Sequence, residues 1–404
     1  MHVQDPPYRF KCGRALPANP KLLEDELEAR VSQNRPRIYR DLKSLIVRVP
    51  DLQSSKLADA LQAADQYPFR ITSFYLDRVL NGRADDPLLD VVLPTSQEGL
   101  VQPETWDANQ LADGRALDSP LWSQKYPQQG LIRLTTECSA HCRYCYLRER
   151  TAQRRPASKE EIAGIFRGLA HDRARDIREV ILSGGDPLMV TPAVLQYLGG
   201  CFRLCNEERA SRGAQEIRLN VHTREPVWRP DYYLSEWSRY MPAFSALGAY
   251  AYVLQVIHPR ELTPEFEELL RRISDCGEQR PLLLNQHPLL KGVNADADVL
   301  AELYARLTDC NPRIKPYYAV HPFDSGTLPK HRLSLPESQT LMQELTHKLP
   351  GTMLPTLVVP TPLGKAYVLP YQRLVPGSAP GRWHLLTKTG VEVDYLDPGL
   401  TGCT

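Results

Sequence analysis

From Leu131 to Val359, short apolar runs alternate with charged, amphipathic stretches. That alternation restricts the chain to folds in which helices wrap a parallel sheet or barrel. Strands are predicted at Leu131–Thr135, Glu179–Ser183, Glu216–His222, Tyr250–Ile257, Pro281–Gln286, Ile314–Val320 and Met353–Val359. The helices between them have readable starts. Ser158 with Glu161 makes a capping box, and Thr191-Pro192 and Thr263-Pro264 each set a cap before a first-turn proline. The helix from Pro264 is expected to stop near Gly277. Loops that follow the strands of a parallel barrel gather at one rim, where such folds carry their chemistry.

Composition sets the outer bounds. With 404 residues, 42% of them hydrophobic, the chain can build a barrel-sized core plus accessory segments. Its 49 Lys and Arg balance 48 Asp and Glu, so no overall field draws in nucleic acid or an anionic membrane surface. Met1 to Phe10 lacks a basic flank followed by an apolar run, and no later stretch holds about 18 consecutive apolar residues. A soluble, unexported, cytoplasmic protein is expected. The nine cysteines are odd in number and scattered apart from one tight group, which fits a reducing compartment. The 35 prolines are spread along the chain and read as turns and helix starts. Before about Pro120, Leu22 to Val31 and Ser54 to Ala64 carry apolar residues at helical spacing. The expected organisation is a helical accessory region over 1–120, a barrel over 121–350 and a C-terminal segment over 351–404.

The tight group is Cys138-Ser-Ala-His-Cys142-Arg-Tyr-Cys145, directly after the first predicted barrel strand. Three thiolates this close can hold three irons of a [4Fe–4S] cubane and leave the fourth iron open to a chelating small molecule. A zinc site with His141 as fourth ligand, or unrelated buried cysteines, are the alternatives. At the end of the next strand, Ser183-Gly184-Gly185-Asp186 pairs two glycines that allow close backbone approach to a ligand, although such a turn is most often only a turn. Lys365 follows Gly364 after the last predicted strand, a setting that more often carries a solvated charge than a Schiff-base lysine.

The cysteine spacing, with Tyr144 before the last cysteine, resembles the radical S-adenosylmethionine (SAM) superfamily. More narrowly, Tyr126-Pro127, Ser183 to Val190, His258-Pro259-Arg260-Glu261-Leu262-Thr263, Asn285-Gln286, Lys291-Gly292-Val293-Asn294 and Pro316-Tyr317-Tyr318 resemble, in that order, the lysine 2,3-aminomutase family. The resemblance spans roughly residues 67 to 375. It implies an α/β fold, a partial (β/α)6 barrel with a helical N-terminal accessory region and a C-terminal arm. It also implies a [4Fe–4S] cluster on Cys138, Cys142 and Cys145, with SAM on the open iron. Tyr144 would lie near the adenine, Ser183, Gly184, Gly185 and Asp186 at the SAM amino group, and His258 and Gln286 at further SAM contacts. Lys365 would be the pyridoxal 5′-phosphate (PLP) lysine, in a glycine-rich loop. The two basic phosphate-side positions of the family appear here as Lys125 and Gln129.

The implied reaction is a 1,2-amino shift on a small amino acid, begun by hydrogen abstraction by a 5′-deoxyadenosyl radical and carried on PLP. An electron donor such as flavodoxin or ferredoxin would reduce the cluster. A homo-oligomer is a further family expectation. Rival readings are a radical SAM desaturase or epimerase and, in another class, a zinc-stabilised binding protein. Departures from the family concern the substrate. Its carboxylate-binding arginine falls at Leu147, next to Arg148. Its two ammonium-binding aspartates fall at Phe323, beside Asp324, and at Pro360. Free L-lysine is therefore not the expected substrate. The family's structural zinc site has no counterpart. Only Cys403 lies in the tail, and Cys201 and Cys205 read as core residues of a helix.

Overall fold

The apolar runs form the expected strands, and two further strands flank them. A computed structural model describes residues 37–52, 54–100, 117–145, 147, 155–171, 174–278, 280–323 and 327–400. One sheet contains, in spatial order, Trp122–Tyr126 (β1), Gln129–Thr135 (β2), Glu179–Gly184 (β3), Arg218–Thr223 (β4), Ala251–Leu254 (β5), Leu282–Pro288 (β6), Lys315–Val320 (β7), Thr356–Thr361 (β8) and Gly364–Val368 (β9). Strands β2 to β8 run parallel, and β1 and β9 pair antiparallel on the two edges.

Each parallel crossover carries a helix: Lys159–Ala170 (α1), Pro192–Ser211 (α2), Trp237–Leu247 (α3), Pro264–Asp275 (α4), Ala297–Asp309 (α5) and Leu335–Lys348 (α6). This is the expected (β/α)6 arrangement with one closing strand. The Ser158 capping box and the Thr263 cap both form, whereas Thr191 precedes its proline without a side-chain cap. The α4 helix ends at Asp275.

Residues alternate in burial along the strands. Ile132, Leu134, Val180, Leu182, Leu219 and Val221 are almost completely buried and share one core with Ile165, Phe166, Leu195 and Leu198 of the helices. Arg133, Ser183 and His222 alternate with them and stay half-buried on the other face. The sheet curls until its ends meet. Lys125 Nζ of β1 donates to the Thr361 carbonyl at 2.7 Å, and the Lys365 backbone N–H donates to Tyr126 Oη at 3.0 Å. The result is a nearly closed barrel whose seam is joined by side chains instead of a backbone ladder.

The described part of the N-terminal region holds the predicted helix Ser54–Ala64, a short helix at Lys43–Ile46, a two-residue strand pair (Ile38–Tyr39 with Ile71–Thr72) and short helical turns at Tyr75–Val79, Leu89–Val91 and Ser96–Leu100. The stretch Asn81-Gly82-Arg83-Ala84-Asp85-Asp86-Pro87 is rich in turn residues that interrupt any longer helix. Leu22 to Val31 lies outside the described residues.

Beyond β9, Val375–Pro376 (β10), Arg382–Leu386 (β11) and Glu392–Leu396 (β12) form a small antiparallel sheet that the sequence reading did not anticipate. An Ala366–Thr387 bridge ties it to β9. Asp397 accepts from the Leu335 N–H at 2.7 Å and from Trp383 Nε1 at 3.0 Å, which anchors the arm to the start of α6. Cys205 is buried in α2, and Cys201 packs against the same core. Among the described residues, no helix is long and apolar enough to cross a membrane.

Candidate active site

Strand β2 runs straight into the cysteine loop, and the N-terminal region braces that loop from outside. The His141 N–H donates to the Arg70 carbonyl, and His141 Nδ1 bonds the Pro68 carbonyl at 2.8 Å. His141 is thus occupied as part of the brace, and burial pushes its pKa down to about 4. Arg143 is almost wholly buried, with its guanidinium 3.2 Å from Glu98 and its N–H on the Val91 carbonyl. On the inner side, Ser139 Oγ donates to Glu225 at 2.5 Å.

Burial, then Asp186 and the neighbouring Cys145 and Cys142, push the Cys138 thiol well up. Burial raises the Cys142 thiol as well, against the pull of Arg224. A buried thiol stays protonated unless a cation neutralises it, so this donor set suits a bound metal centre. Among the described residues, no three His, Cys, Asp or Glu side chains converge as the ligands of a single ion must.

The Gly184–Gly185 turn fits against the base of this loop. The Gly185 N–H donates to the Thr135 carbonyl at 2.6 Å, and the Asp186 N–H donates to the Glu137 carbonyl at 2.7 Å. Gly184 has φ +127°, and a Cβ there would lie 2.3 Å from the Thr135 oxygen. A Cβ at Gly185 would lie 2.2 Å from the Glu137 oxygen. The glycines therefore let two loops of the protein approach each other, a demand the sequence reading had assigned to the ligand. Ser183 sits half-buried beside Arg133 in the β2–β3 register.

Asp186 is 5% exposed and saturated with donors: Thr223 Oγ1 at 2.8 Å, Arg224 N–H at 2.7 Å, Leu188 N–H at 3.0 Å and Glu225 N–H at 3.2 Å. Burial and the Glu225 carboxylate push its pKa up, while these donors pull it down. Its side chain holds the β4 exit against the turn.

Tyr144 is buried, with its hydroxyl 3.5 Å from Gln255 Oε1 and its ring centroid 5.8 Å from the Arg224 guanidinium. Arg224 pairs with Glu261 at 2.7 Å, and Glu261 also accepts from Tyr75 Oη at 2.7 Å and the Ile257 N–H at 2.8 Å. The segment around His258 is thereby locked to the cysteine side. His258 Nδ1 accepts from the Arg260 N–H at 3.2 Å, so the ring proton sits on Nε2, and burial lowers its pKa to about 4. His258 is thus a neutral donor near neutral pH.

Asn285 pairs through both ends of its amide with the Val256 backbone, at 2.8 and 3.0 Å. Asn294 donates to the Ile257 carbonyl at 3.1 Å. Those two motif residues build the rim. Gln286 lies half-buried on β6, and among the described residues its buried Oε1 has no hydrogen-bond partner.

Lys365 is on strand β9, a correction to the loop expected for it, because Thr361 and Gly364 close a tight hairpin through Thr361 Oγ1 donating to the Gly364 carbonyl at 2.6 Å. Its Nζ lies 4.7 Å from the Tyr318 ring centroid, and Tyr318 Oη lies 3.1 Å from Tyr367 Oη. Burial, then Lys388 and Lys125, lower the Lys365 pKa to about 8. Its charge in turn joins burial in pushing His222 down to about 3. No hydrogen bond or ion pair among the described residues links Lys365 to the cysteine loop.

Of the substrate-side positions, Leu147 is buried with its N–H 3.3 Å from Cys145 Sγ, and Pro360 is the register partner of Lys365. Phe323 is half-buried. Arg148, Asp324 and Cys403 lie outside the described residues. Sequence reasoning passed over Arg224, Glu225, His222 and Lys388. The charged pair Arg224-Glu225, at the exit of the strand that holds Leu219 and Val221, was a usable signal for the first two, whereas Thr387-Lys388-Thr389-Gly390 carries no pattern of its own.

Comparison with known proteins agrees with this geometry. Residues 132–303 match the model of the radical SAM superfamily. The L-lysine 2,3-aminomutase of Buchnera aphidicola subsp. Baizongia pistaciae is 27% identical over 319 residues, 78% of this chain and 88% of that protein. That of Haemophilus influenzae is 28% identical over 345 residues, 85% and 95% of the two chains. The glutamate 2,3-aminomutase of Clostridioides difficile is 24% identical over 306 residues, 75% and 67%.

Proposed function

Because the chain carries a radical SAM domain and is similar to 2,3-aminomutases along most of its length, we propose that it is a PLP-dependent amino acid 2,3-aminomutase whose substrate is not free L-lysine. The observation that carries this reading is a barrel holding both a three-cysteine loop after β2 and a half-buried lysine on β9 whose pKa is pushed down to about 8.

Cys138, Cys142 and Cys145 would hold the cluster. The backbone of Ser183 to Gly185, His258 Nε2–H and the unpartnered Gln286 Oε1 would orient SAM, with Tyr144 packed alongside. Asp186 acts as a positioning residue, since its oxygens are already engaged. Held there, the cluster and SAM would supply hydrogen-abstracting radical chemistry, and PLP at Lys365 would supply the radical stabilisation that a 1,2-amino shift needs.

Lys365 exchanges its proton near neutral pH, as an amine that must both attack a carbonyl and leave again requires. The Tyr318 ring holds Lys365 in place, and His222 stays neutral beside it. The nearly closed barrel keeps water from the reacting carbon. A low-potential donor such as flavodoxin or ferredoxin in a reducing, cytoplasmic compartment would reduce the cluster.

The substrate reading rests on Leu147 and Pro360. An alkyl chain cannot replace a bidentate guanidinium on a carboxylate, and a proline beside Lys365 offers no acid to a distal ammonium. The test is a panel of deuterated amino acids, scored by mass and by deuterium transfer into deoxyadenosine. An isomeric product from an amino acid other than lysine is expected. A product two hydrogens lighter identifies a desaturase, label exchange with inversion at carbon 2 an epimerase, and efficient β-lysine formation overturns the substrate reading.

A further inference from the structure

Strand β1, strand β9 and the C-terminal sheet bring three lysines to the barrel seam. Lys125 comes from β1, Lys365 from β9 and Lys388 from the turn after β11. The backbone holds them in register, since the Lys388 N–H donates to the Lys365 carbonyl at 2.8 Å and the Lys365 N–H donates to Tyr126 Oη at 3.0 Å. Lys388 Nζ stands 3.4 Å from the Tyr126 ring centroid, and Lys365 Nζ stands 4.7 Å from that of Tyr318.

Among the described residues, neither Lys365 nor Lys388 has a carboxylate within ion-pair distance. The acid whose field reaches both, Glu179, accepts a hydrogen bond from Gln129. Cation–π contacts return about 0.5–2 kcal/mol each, less than the several kcal/mol that withdrawing an ammonium from water costs. Lys125 and Lys365 both have their pKa values pushed down to about 8. A cluster of mutually repelling ammoniums held by backbone bonds and tyrosine faces is an arrangement that a multivalent anion stabilises.

We propose that Lys388, contributed by the C-terminal sheet, forms with Lys125 the site for a phosphate monoester dianion next to Lys365. This deepens the functional reading above, in that the monoester would be the phosphate of PLP. Gln129, next to Lys125 along the barrel edge, is neutral and engaged with Glu179, so Lys388 supplies the second charge from the far end of the chain.

The test compares PLP with pyridoxal, the same aldehyde without its phosphate, in spectral titrations of the full-length protein with borohydride trapping at Lys365. Lys388→Met keeps the contact with Tyr126 and removes the charge, and Lys388→Arg keeps the charge. Lys388→Met should weaken PLP by about 10- to 100-fold and leave pyridoxal within about twofold, while Lys388→Arg stays near wild type. Equal weakening of both aldehydes, or of neither, overturns the proposal.

A second probe is independent of the cofactor. Inorganic phosphate should protect Lys388 and Lys365 from reductive methylation, mapped by mass spectrometry, and the protection of Lys365 should vanish in Lys388→Met. If phosphate protects but wild type traps neither aldehyde, the anion site stands and the PLP reading falls. If phosphate gives no protection, the anion site itself is refuted.

Discussion

Around the cysteine loop, buried charge meets its opposite: Arg143 faces Glu98, Arg224 faces Glu261 and Arg229 faces Glu225. Around Lys365, the largest charge effects on a half-buried ammonium come from two further lysines, with Glu179 opposing them. The first region pairs its buried arginines with acids, and it is assembled from the N-terminal region, the β2 exit and the β4 and β5 exits. The second lies across the seam, where like charges outweigh the opposing one at Lys365. The contrast teaches that the loop is a rigid seat built before its ligand arrives, whereas the seam is a pocket whose stability depends on what occupies it.

The sharpest way to break that contrast is to remove one thiolate. Cys138→Ala, Cys142→Ala or Cys145→Ala should abolish iron retention and reductive formation of deoxyadenosine, leaving PLP trapping at Lys365 unchanged. Wild-type deoxyadenosine yield in any of the three would refute the cluster assignment. Gly185→Ala should lower cluster loading by about tenfold or more, because the added carbon would meet the Glu137 oxygen at 2.2 Å and must push the loop aside. Iron and sulfide analysis reads this directly, and full loading would show that the two loops need not touch.

Glu261→Gln leaves Arg224 buried without its counter-charge and should cost about 3–5 kcal/mol in urea denaturation. A cost below about 1 kcal/mol would mean that the rigid seat does not depend on its ion pairs.

The seam should answer to pH in the opposite sense from a salt bridge. Lys365 in the folded chain loses its proton at about 8, against 10.5 for the unfolded chain, so between those values the unfolded state binds more protons. The ligand-free protein should gain on the order of 1–3 kcal/mol relative to Lys365→Met as pH rises through that window. A difference that is flat with pH would show the ammonium to be solvated. The smallest effect is expected far from both regions. Ser158→Ala removes the α1 capping box and should cost about 1 kcal/mol without altering either cofactor measurement.

The parallel strands were legible because each is a short run of branched and apolar residues with its core-facing positions buried, bounded by caps and turns. The edge strand β1, Trp-Ser-Gln-Lys-Tyr, was not, since the three polar residues at its centre read as loop. Strand β9 was hidden in the same way behind Pro-Thr-Pro-Leu-Gly, and its lysine was expected in a loop for that reason. The cysteines stood out through spacing alone. Gly184 and Gly185 stood out as well, but not the partner they accommodate, because a close approach between loops distant in sequence leaves no local mark. Lys388 had no signal at all. It matters only through a backbone bond to Lys365 that the closed barrel makes possible.

The side-chain seam also orders events during synthesis. The cysteine loop and the segments that brace it, the last of them at Glu261, leave the ribosome before β8 begins, yet the lysine cluster is incomplete until β9 and the turn carrying Lys388 have emerged and reached back to β1. A ribosome stalled in the last few dozen codons would therefore expose a nascent chain already able to gather iron but with nowhere to dock a phosphorylated aldehyde.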